Sequence, residues 1–500
     1  MRRAAAGLCL SLLLLAAGCA GTTPRAAGTP KASASSASSS SSAAAPPAPS
    51  PFAIRGVIEG YYGYSWSLSA TTHLLAFMGR EGMNTFVYAP KFDPYERAEW
   101  QTPYPAAQLA QLATMVKAAQ AAGVNFVYSL SPGLSINYSS AADRTALEAK
   151  LAQLRGIGIN GFMLSFDDIG VAATAALAQG QVSMTNAVWA VERQADPQFS
   201  LMFTPTSYYG TSSNSYLQVL PQLNAGIQVA WTGPEVLPVE ITLAQAQAFG
   251  AIVGRKPLLW LNYPVNDWQV PTAELGTKTA QPRLLFMGPL QGMAPNLGQG
   301  LSGILANPML EPYASEIPLA SIAAYLNNPQ SAATEQQAWQ QEISREGGSA
   351  TAALQVFISG EEAEPANGPD GYTTTSTDVS ADQLSNSLMS AFATEGTKAV
   401  QGTYGTQLSA LFQSWINDAP LLTATHLGQP DLAAEIAPWV QQMVPDGQDG
   451  LAALALLANP SDTTARITVE QGISRLSNPN AAVNFGGNLL GLLKDAAAAS

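Results

Sequence analysis

Two adjacent aspartates follow a short apolar run and are the acidic pair best placed to do chemistry. The stretch Gly161–Gly170 reads GFMLSFDDIG, in which a run typical of a buried strand leads directly into Asp167 and Asp168. Charge at a strand end is costly unless the end opens onto a polar pocket. Neighbouring carboxylates cannot both ionise freely, so the pair predicts one acid and one base in a single site. The alternative is that one aspartate merely caps the next helix.

The elements that would position this pair are eight strand-like runs alternating with helical patterns such as Ala106–Ala122 and Ala142–Ile157. Eight such units over roughly 275 residues match a (β/α)8 TIM barrel, an α/β fold. The alternative, a doubly wound open sheet, usually carries a Gly-rich phosphate turn after its first strand, which EGYYGYSW is not. The predicted strands are Ala53–Glu59, Asn84–Pro90, Val124–Ser131, Gly161–Asp167, Phe199–Thr206, Ile227–Thr232, Pro257–Asn262 and Ser302–Asn307.

In such a barrel the carboxyl ends of the strands meet at one mouth, where ligands bind. Amides, carboxylates and a lysine around an aromatic surface are suited to holding sugar hydroxyls. Each residue alone also has a structural explanation, such as a turn asparagine, and only together do they favour a site. The polar residues predicted at the mouth are Glu59, Lys91, Asp167, Asp168, Tyr208, Asn262, Asp267 and Asn307, with Gly60 beside them and Trp231 and Trp260 as an aromatic wall.

The composition disfavours several classes of function. Net charge is −13 and no basic run follows the first residues, so nucleic acid is an unlikely partner. With only two histidines, His73 and His426, the sequence offers few imidazole ligands for a metal site and few bases for a Ser-His pair. No phosphate-binding loop or metal motif is found. We therefore expect neither a metal nor another cofactor.

The N-terminal segment is typical of an exported protein. Residues 1–18 combine two arginines with a short apolar run and predict a signal peptide. The sequence LLAAGC resembles a bacterial lipobox, which would make Cys19 a lipidated residue; the alternative is ordinary cleavage nearby. Residues 19–52 are rich in Ser, Ala and Pro and predict a disordered tether. We expect an extracytoplasmic protein that contacts the membrane only through its lipid.

After the predicted barrel at residues 53–328, residues 329–500 predict an all-α helical bundle domain. A polar stretch, GEEAEPANGPDGYTTTSTD, interrupts the helical patterns. The sequence leaves open whether this domain docks against the barrel, forms a homodimer or contacts the substrate's leaving group. The predicted helices are Gln330–Arg345, Ala381–Gln401, Gln407–Asn417, Pro430–Met443 and Gly450–Ala458.

The ordered motifs RGVIEGYYG, NTFVYAPK, SPGL, FDDI, PTSY, WTGP, WLNYPVND and ANP resemble glycoside hydrolase family 84, the retaining β-N-acetylglucosaminidases that include O-GlcNAcases. The resemblance implies substrate-assisted catalysis through an oxazoline intermediate. It assigns Asp167 to the substrate's acetamido N–H, Asp168 to general acid and base, and Tyr208 to positioning the acetamido group. The implied sugar-contacting residues are Gly60, Lys91, Trp260, Asn262, Asp267 and Asn307.

The chain departs from the family pattern at three positions. Phe92, Leu261 and Ser207 stand where family members often carry acidic residues, which leaves leaving-group preference and pH optimum open. The leading hypothesis is an enzyme that removes terminal β-linked GlcNAc from extracellular glycoconjugates. The alternatives are a lipid-anchored, non-catalytic sugar-binding protein and an endo-acting glycosidase of hyaluronan or peptidoglycan.

Overall fold

Eight parallel strands close into a barrel, as the sequence predicts. Each strand pairs with the next along the chain, and the eighth pairs with the first. The predicted strands are correct in number and order, and their ends differ from the observed ones by no more than two residues. The strands are β1 Ile54–Glu59, β2 Thr85–Tyr88, β3 Asn125–Leu130, β4 Gly161–Ser165, β5 Ser200–Thr204, β6 Gln228–Trp231, β7 Leu258–Leu261 and β8 Gly303–Ala306.

This computed structural model describes residues 49–267, 283–361, 364–365, 372–373, 381–478, 483, 485–486 and 489–499. The predicted signal peptide, Cys19 and most of the tether lie outside these residues. Within the described ranges, no helix is both long and apolar enough to cross a membrane.

Side chains inside the barrel form a core separate from the one between strands and helices. Because successive strand residues point to opposite faces, Met163 of β4 joins the interior while Phe162 and Leu164 pack outside. Nearer the carboxyl ends of the strands, Ser165 lies 3.0 Å from Ser129, oxygen to oxygen. The inward-facing apolar side chains are Ile58, Val87, Ala89, Val127, Met163, Met202, Ala230, Leu258, Trp260 and Leu305.

Helices follow most strands, and several begin at a side chain that caps the helix N-terminus. Thr174 accepts a hydrogen bond from the backbone of Leu177 at the start of α4. The helix that follows the aspartate pair is therefore capped by Thr174, and the capping interpretation of Asp167 or Asp168 is wrong. The helices of the barrel are α1 Leu68–Arg80, α2 Ala106–Ala121, α3 Ala141–Arg155, α4 Ala175–Ala195, α5 Leu243–Val253 and α6 Pro312–Asn327.

The region after the barrel is helical, as predicted. Its described non-helical pairings are a two-residue ladder between β9 Glu364–Pro365 and β10 Tyr372–Thr373, within the polar stretch, and an isolated bridge between Arg283 and Val483. Its helices are α7 Ala332–Gly347, α8 Thr351–Ile358, α9 Ala381–Glu395, α10 Thr403–Asp418, α11 Pro430–Ala458, α12 Thr463–Leu476 and α13 Leu489–Ala499.

Three of the predicted helices in this region are wrong in extent. Pro430–Met443 and Gly450–Ala458 are one continuous helix, α11. A Cβ on Gly450 would lie 2.6 Å from the ring of Phe412. The glycines near Pro445 therefore allow α10 to approach closely rather than break the helix. The helix predicted over Ala381–Gln401 ends earlier, at Glu395, because Gly396 has a φ of 62°.

The helical region docks directly on the barrel. The carboxylate of Glu435 in α11 accepts a hydrogen bond from the backbone N–H of Ala314, 2.7 Å away in the first turn of α6. The indole N–H of Trp439 donates to the carbonyl of Arg283, which precedes β8, at 3.0 Å. Of the three roles that the sequence leaves open, docking is the one seen in these contacts.

Candidate active site

A cavity of about 570 Å³ opens at the carboxyl ends of the barrel strands. It brings together all nine residues assigned to catalysis or sugar binding from the sequence, namely Gly60, Lys91, Asp167, Asp168, Tyr208, Trp260, Asn262, Asp267 and Asn307. It is also lined by Tyr62, Gly170, Thr204, Thr232, Val236, Leu237 and Val265.

Asp167 continues the inward alternation of β4 and lies beneath the cavity as a charged group. The ammonium of Lys91 lies 2.6 Å from its Oδ2 atom, and both side chains are buried. Burial raises the pKa of Asp167, but the nearby charges of Lys91 and Arg97 outweigh burial and leave that pKa below its usual value. Within the described residues, Oδ1 of Asp167 is buried with no hydrogen-bond partner. The carboxylate therefore keeps one buried oxygen without a hydrogen-bond donor, in a residue that lines the cavity.

Asp168 lines the same cavity because the backbone turns at this residue. A regular strand would direct Asp167 and Asp168 to opposite faces. In the described part of the chain, Asp168 is the one non-glycine residue with positive φ, at 51°. This left-handed backbone conformation is uncommon for residues other than Gly, Asn and Asp. Here it places two consecutive carboxylates in one pocket.

Two tyrosine hydroxyls hold the carboxylate of Asp168. Tyr208 donates to its Oδ1 at 2.8 Å and Tyr62 to its Oδ2 at 3.1 Å. Burial, followed by the charge of Asp168, raises the pKa of both tyrosines. Both phenols therefore remain protonated donors, and Asp168 is fixed by neutral hydrogen bonds whereas Asp167 is fixed by a cation.

The opposite wall is a chain of amides and one carboxylate. Asn307 accepts from the backbone of Gly60 at 3.2 Å and donates to Asn262 at 2.9 Å. Asp267 accepts from the backbone N–H of Tyr62 at 2.7 Å. Burial is the main reason that the pKa of Asp267 rises to about 6. These groups present fixed donors and acceptors suited to hydroxyl groups of a ligand.

Trp260 forms an apolar surface of the cavity and belongs to the barrel interior. The ammonium of Lys91 lies 5.5 Å from the centre of its ring. A Cβ on Gly60 would lie 2.3 Å from Cζ2 of Trp260, so this position has room only for glycine unless the indole moves.

Two residues predicted at the mouth do not line the cavity. Glu59 accepts hydrogen bonds from Tyr61 and from the backbone of Trp66, both at 2.7 Å. Trp231 stacks on Phe249 of α5 with 5.3 Å between ring centres. Both predictions are wrong for the same reason. Ile58 and Ala230 occupy the inward positions of β1 and β6, so the next residue on each strand faces outward.

The three departures from the family pattern also lie outside the cavity lining. Phe92 packs edge-on against Tyr64, with 5.2 Å between ring centres. Leu261 is buried among the side chains that pack against the helices. The hydroxyl of Ser207 accepts from Asn214 at 3.0 Å. The three positions therefore do not contribute side chains to the cavity lining.

Sequence reasoning missed Tyr62 and Arg97. Tyr62 was available in the EGYYG motif, next to Gly60. Arg97 lies in the segment after β2, where no periodic pattern indicates which way a side chain points. It reaches the site through a tertiary contact, a hydrogen bond to the backbone carbonyl of Asp168.

A possible cation cluster lies away from this cavity. Among the described residues, Glu316, Glu342 and Glu346 bring three carboxylate oxygens within 4.8 Å of one another. Glu342 is already bound by Arg80 and Arg345. These glutamates belong to α6 and α7, and they do not contribute to the aspartate site.

A barrel mouth with paired carboxylates, tyrosines, amides and a buried tryptophan is the architecture of a sugar-cleaving enzyme. The family model described as beta-N-acetylglucosaminidase matches residues 55–359, more than half of the sequence. The chain therefore belongs to this family, glycoside hydrolase family 84, as its motifs predicted.

Named relatives agree with this membership. The Protein O-GlcNAcase of Rattus norvegicus and that of Mus musculus are each 32% identical over 284 residues, covering 54% of this chain and 29% of the relative. The chain thus matches less than a third of the length of these curated relatives. A mutant O-GlcNAc hydrolase from Thermobaculum terrenum superposes with a TM-score of 0.74 at 26% identity, covering 89% of this chain and 95% of that one. CpGH84B has the same fold, with a TM-score of 0.74 at 24% identity over 90% of this chain and 77% of its own.

Proposed function

We propose that this protein is a retaining β-N-acetylglucosaminidase that removes terminal β-linked GlcNAc by substrate-assisted catalysis. The observation that carries the proposal is the different setting of two adjacent carboxylates in one cavity. Asp167 is paired with Lys91 at 2.6 Å and has one free buried oxygen. Asp168 is held by the hydroxyls of Tyr62 and Tyr208.

In the first step the ionised carboxylate of Asp167 accepts a hydrogen bond from the acetamido N–H of the sugar. This interaction increases the nucleophilicity of the acetamido oxygen, which forms a bond to the anomeric carbon as the glycosidic C–O bond breaks. The product is an oxazoline that carries positive charge unless its nitrogen loses the proton to Asp167. Lys91 keeps Asp167 ionised before the reaction and so prepares it for this role.

Asp168 supplies the proton to the leaving oxygen and then takes one from the incoming water. Water attacks the anomeric carbon from the face that the leaving group vacated, and the bond between that carbon and the acetamido oxygen breaks. The acetamido group is restored, with its N–H proton returned from Asp167 if it was lost, and the product keeps the β configuration. Tyr208 and Tyr62 fix the carboxyl group at both oxygens. This fixed orientation supports a proton transfer to one defined position above the sugar.

The rest of the cavity supports binding of one terminal sugar. Asn262, Asp267 and Asn307 offer fixed polar groups to the ring hydroxyls, and Trp260 offers an apolar surface. Inward side chains such as Leu258 and Met202 fill the barrel.

The test uses residues 49–500 and a series of aryl β-N-acetylglucosaminides with leaving groups of increasing pKa. Asp168→Asn should reduce kcat/KM by about 10²–10⁴-fold for poor leaving groups and much less for good ones, because only the former need the proton. Asp167→Asn should reduce the rate for all leaving groups. Replacing the N-acetyl group by N-trifluoroacetyl should slow the wild-type enzyme, because it weakens the acetamido nucleophile.

Three results would contradict the proposal. An α-anomer as the first product, seen by NMR, would exclude retention. Absence of turnover between pH 4 and 8, combined with tight GlcNAc binding by calorimetry, would favour the non-catalytic sugar-binding alternative. Cleavage of internal linkages in hyaluronan or peptidoglycan fragments, without release of terminal GlcNAc, would favour the endo-acting alternative.

We also propose that the protein acts outside the cytoplasm as a lipoprotein anchored at Cys19, on glycoconjugates met there. The support is the signal-like run and lipobox-like LLAAGC of the sequence. Full-length protein expressed in bacteria should incorporate a labelled fatty acid, and Cys19→Ser should not. Equal labelling of both proteins would contradict the anchor.

A further inference from the structure

Arg97 is a buried cation that contacts the backbone of the catalytic pair. Its side chain is 1% exposed, and its Nη2 donates a hydrogen bond to the backbone carbonyl of Asp168 at 3.1 Å. A buried arginine is uncommon unless its charge is compensated or used. Here it lies between the segment after β2 and the turn at the end of β4.

The segment that carries Arg97 is fixed to the barrel. The backbone N–H of Arg97 donates to the carbonyl of Asp93, and the Asp93 carboxylate accepts from the hydroxyls of Tyr88 and Tyr104. The carbonyl of the preceding residue, Glu96, accepts from the backbone of Ser131 at 2.9 Å. Arg97 is therefore held against β2 and the end of β3, and it can act as a fixed support.

The residue that Arg97 contacts has the least favourable backbone of the pair. The φ of 51° at Asp168 is unfavourable for a residue that carries a Cβ. A strained conformation persists only where the surroundings determine it. The hydrogen bond from Arg97 fixes the carbonyl of Asp168, while the two tyrosines fix its carboxylate.

We propose that Arg97 is a positioning residue for the hydrolysis described above. Its guanidinium holds the turn that directs Asp168 into the cavity, and its charge helps to keep Asp167 ionised. The inference rests on the proposed function, in which these two aspartates have different roles. Arg97 then has two effects, one on the geometry of the turn at Asp168 and one on the ionisation of Asp167. Two substitutions can separate these effects.

The electrostatic part follows from the charges around Asp167. After burial, which raises its pKa, the charges of Lys91 and Arg97 are the main influences, and both lower it. Glu96 interacts with the same three groups, and burial raises its own pKa to about 7. Removing Arg97 should raise the pKa of Asp167. Because Asp167 must be ionised to accept the acetamido N–H, the acid limb of kcat/KM should move to higher pH.

The experiment compares Arg97→Lys with Arg97→Met on aryl β-N-acetylglucosaminides with good and poor leaving groups, from pH 4 to 8. Arg97→Lys keeps the charge and loses the planar donor group. It should leave the acid limb in place and reduce kcat for poor leaving groups about tenfold, through misplacement of Asp168. Arg97→Met should show a larger loss, about 100-fold, together with the shifted acid limb.

Arg255→Met is the matched control. Arg255 donates to four backbone carbonyls, and three of them, those of Leu223, Asn224 and Ile227, come just before β6 and therefore lie at the other end of the barrel. This variant should lose thermal stability while its pH profile and leaving-group dependence stay like those of the wild type. Arg97 variants that lose the same factor at every pH and with every leaving group would overturn the proposal.

A crystal structure of Arg97→Met separates this inference from the proposed function, because it does not depend on turnover. We expect the carboxyl of Asp168 to move away from Tyr62 and Tyr208, with a changed φ at residue 168. If the wild type hydrolyses no substrate, the proposed function is wrong. The crystal structure of Arg97→Met would still decide whether Arg97 holds the turn at Asp168. An unchanged turn in Arg97→Met overturns the positioning role.

Discussion

Lys91→Met is the most direct test of the charge arrangement beneath the cavity. The substitution removes an ammonium that lies 2.6 Å from Asp167 and leaves that carboxylate buried. At an effective dielectric of ~20, two unit charges at this distance attract each other by about 6 kcal/mol. Much of that attraction is offset by the desolvation of both groups. Loss of one partner of a buried pair typically destabilises a protein by about 3–5 kcal/mol.

The size of the effect can be expressed as a change in melting temperature. Unfolding entropy is about 2.1 cal/mol/K per residue, or roughly 1 kcal/mol/K for a unit as long as residues 48–500. A loss of about 3–5 kcal/mol therefore lowers the Tm by about 3–5 °C at pH 7. Hydrolysis of aryl β-N-acetylglucosaminides should fall with it, because Asp167 would then bind a proton more readily.

The pH dependence has a definite sign. In the wild type the pKa of Asp167 lies below its usual value, so its stabilising contribution is present at neutral pH and is lost as pH falls through that lowered pKa. In Lys91→Met burial should raise this pKa. The ionised carboxylate then destabilises the variant at neutral pH, and this penalty disappears as the pH falls. The Tm difference between wild type and variant should narrow from pH 7 to pH 5.

Lys150→Met is the control for loss of a buried lysine. Lys150 is 2% exposed and hydrogen-bonds to the backbone carbonyls of Tyr95 and Thr102. Burial lowers its pKa to about 8, so it stays charged between pH 5 and 7. Differential scanning calorimetry should give a constant Tm difference for this variant over that range. A constant difference for Lys91→Met as well would refute the paired-charge reasoning.

Three further predictions concern the cavity and its support. Burial raises the pKa of Asp267 to about 6, so this carboxyl loses stability progressively as the pH rises from its ordinary pKa to the raised one. Asp267→Asn should raise the Tm at pH 7.5, raise it less at pH 5, and weaken hydrolysis. Gly60→Ala should raise KM several-fold, because its Cβ would meet the indole of Trp260 at 2.3 Å; an unchanged KM would argue against a fixed indole. Glu435→Ala should reduce the free energy of unfolding by about 1–3 kcal/mol, because the N–H of Ala314 loses its hydrogen-bond partner. The Tm should fall while KM stays unchanged.

The barrel could be predicted from the sequence because its signals are local. Apolar runs bounded by turn residues locate each strand, and their order along the chain is also their order in the closed sheet. Glycine in the helical region was less informative. In α11, Gly450 allows close packing against Phe412 of α10. In the sequence, however, it looks the same as a glycine that ends a helix.

The candidate site could be predicted as far as the strand ends determine it. Asp167 and Asn307 directly follow strand-like runs, so the fold itself brings them together. Which face a side chain takes was harder to predict, since a shift of one residue reverses it, as at Glu59. Arg97 could not be found at all, because its position depends on contacts with Asp93 and Asp168 from different loops.

The left-handed backbone at Asp168 itself can be tested by comparing Asp168→Gly with Asp168→Ala. Both variants lose the carboxyl group and should lose hydrolysis of poor leaving groups equally. Glycine adopts a φ of 51° without the steric cost that a Cβ imposes, although it also adds entropy to the unfolded chain. The net advantage of Asp168→Gly should be about 1 kcal/mol in a denaturant titration. Equal stability of the two variants would mean that the turn relaxes once the carboxyl group is gone, and that Tyr62 and Tyr208, rather than the backbone, hold it in place.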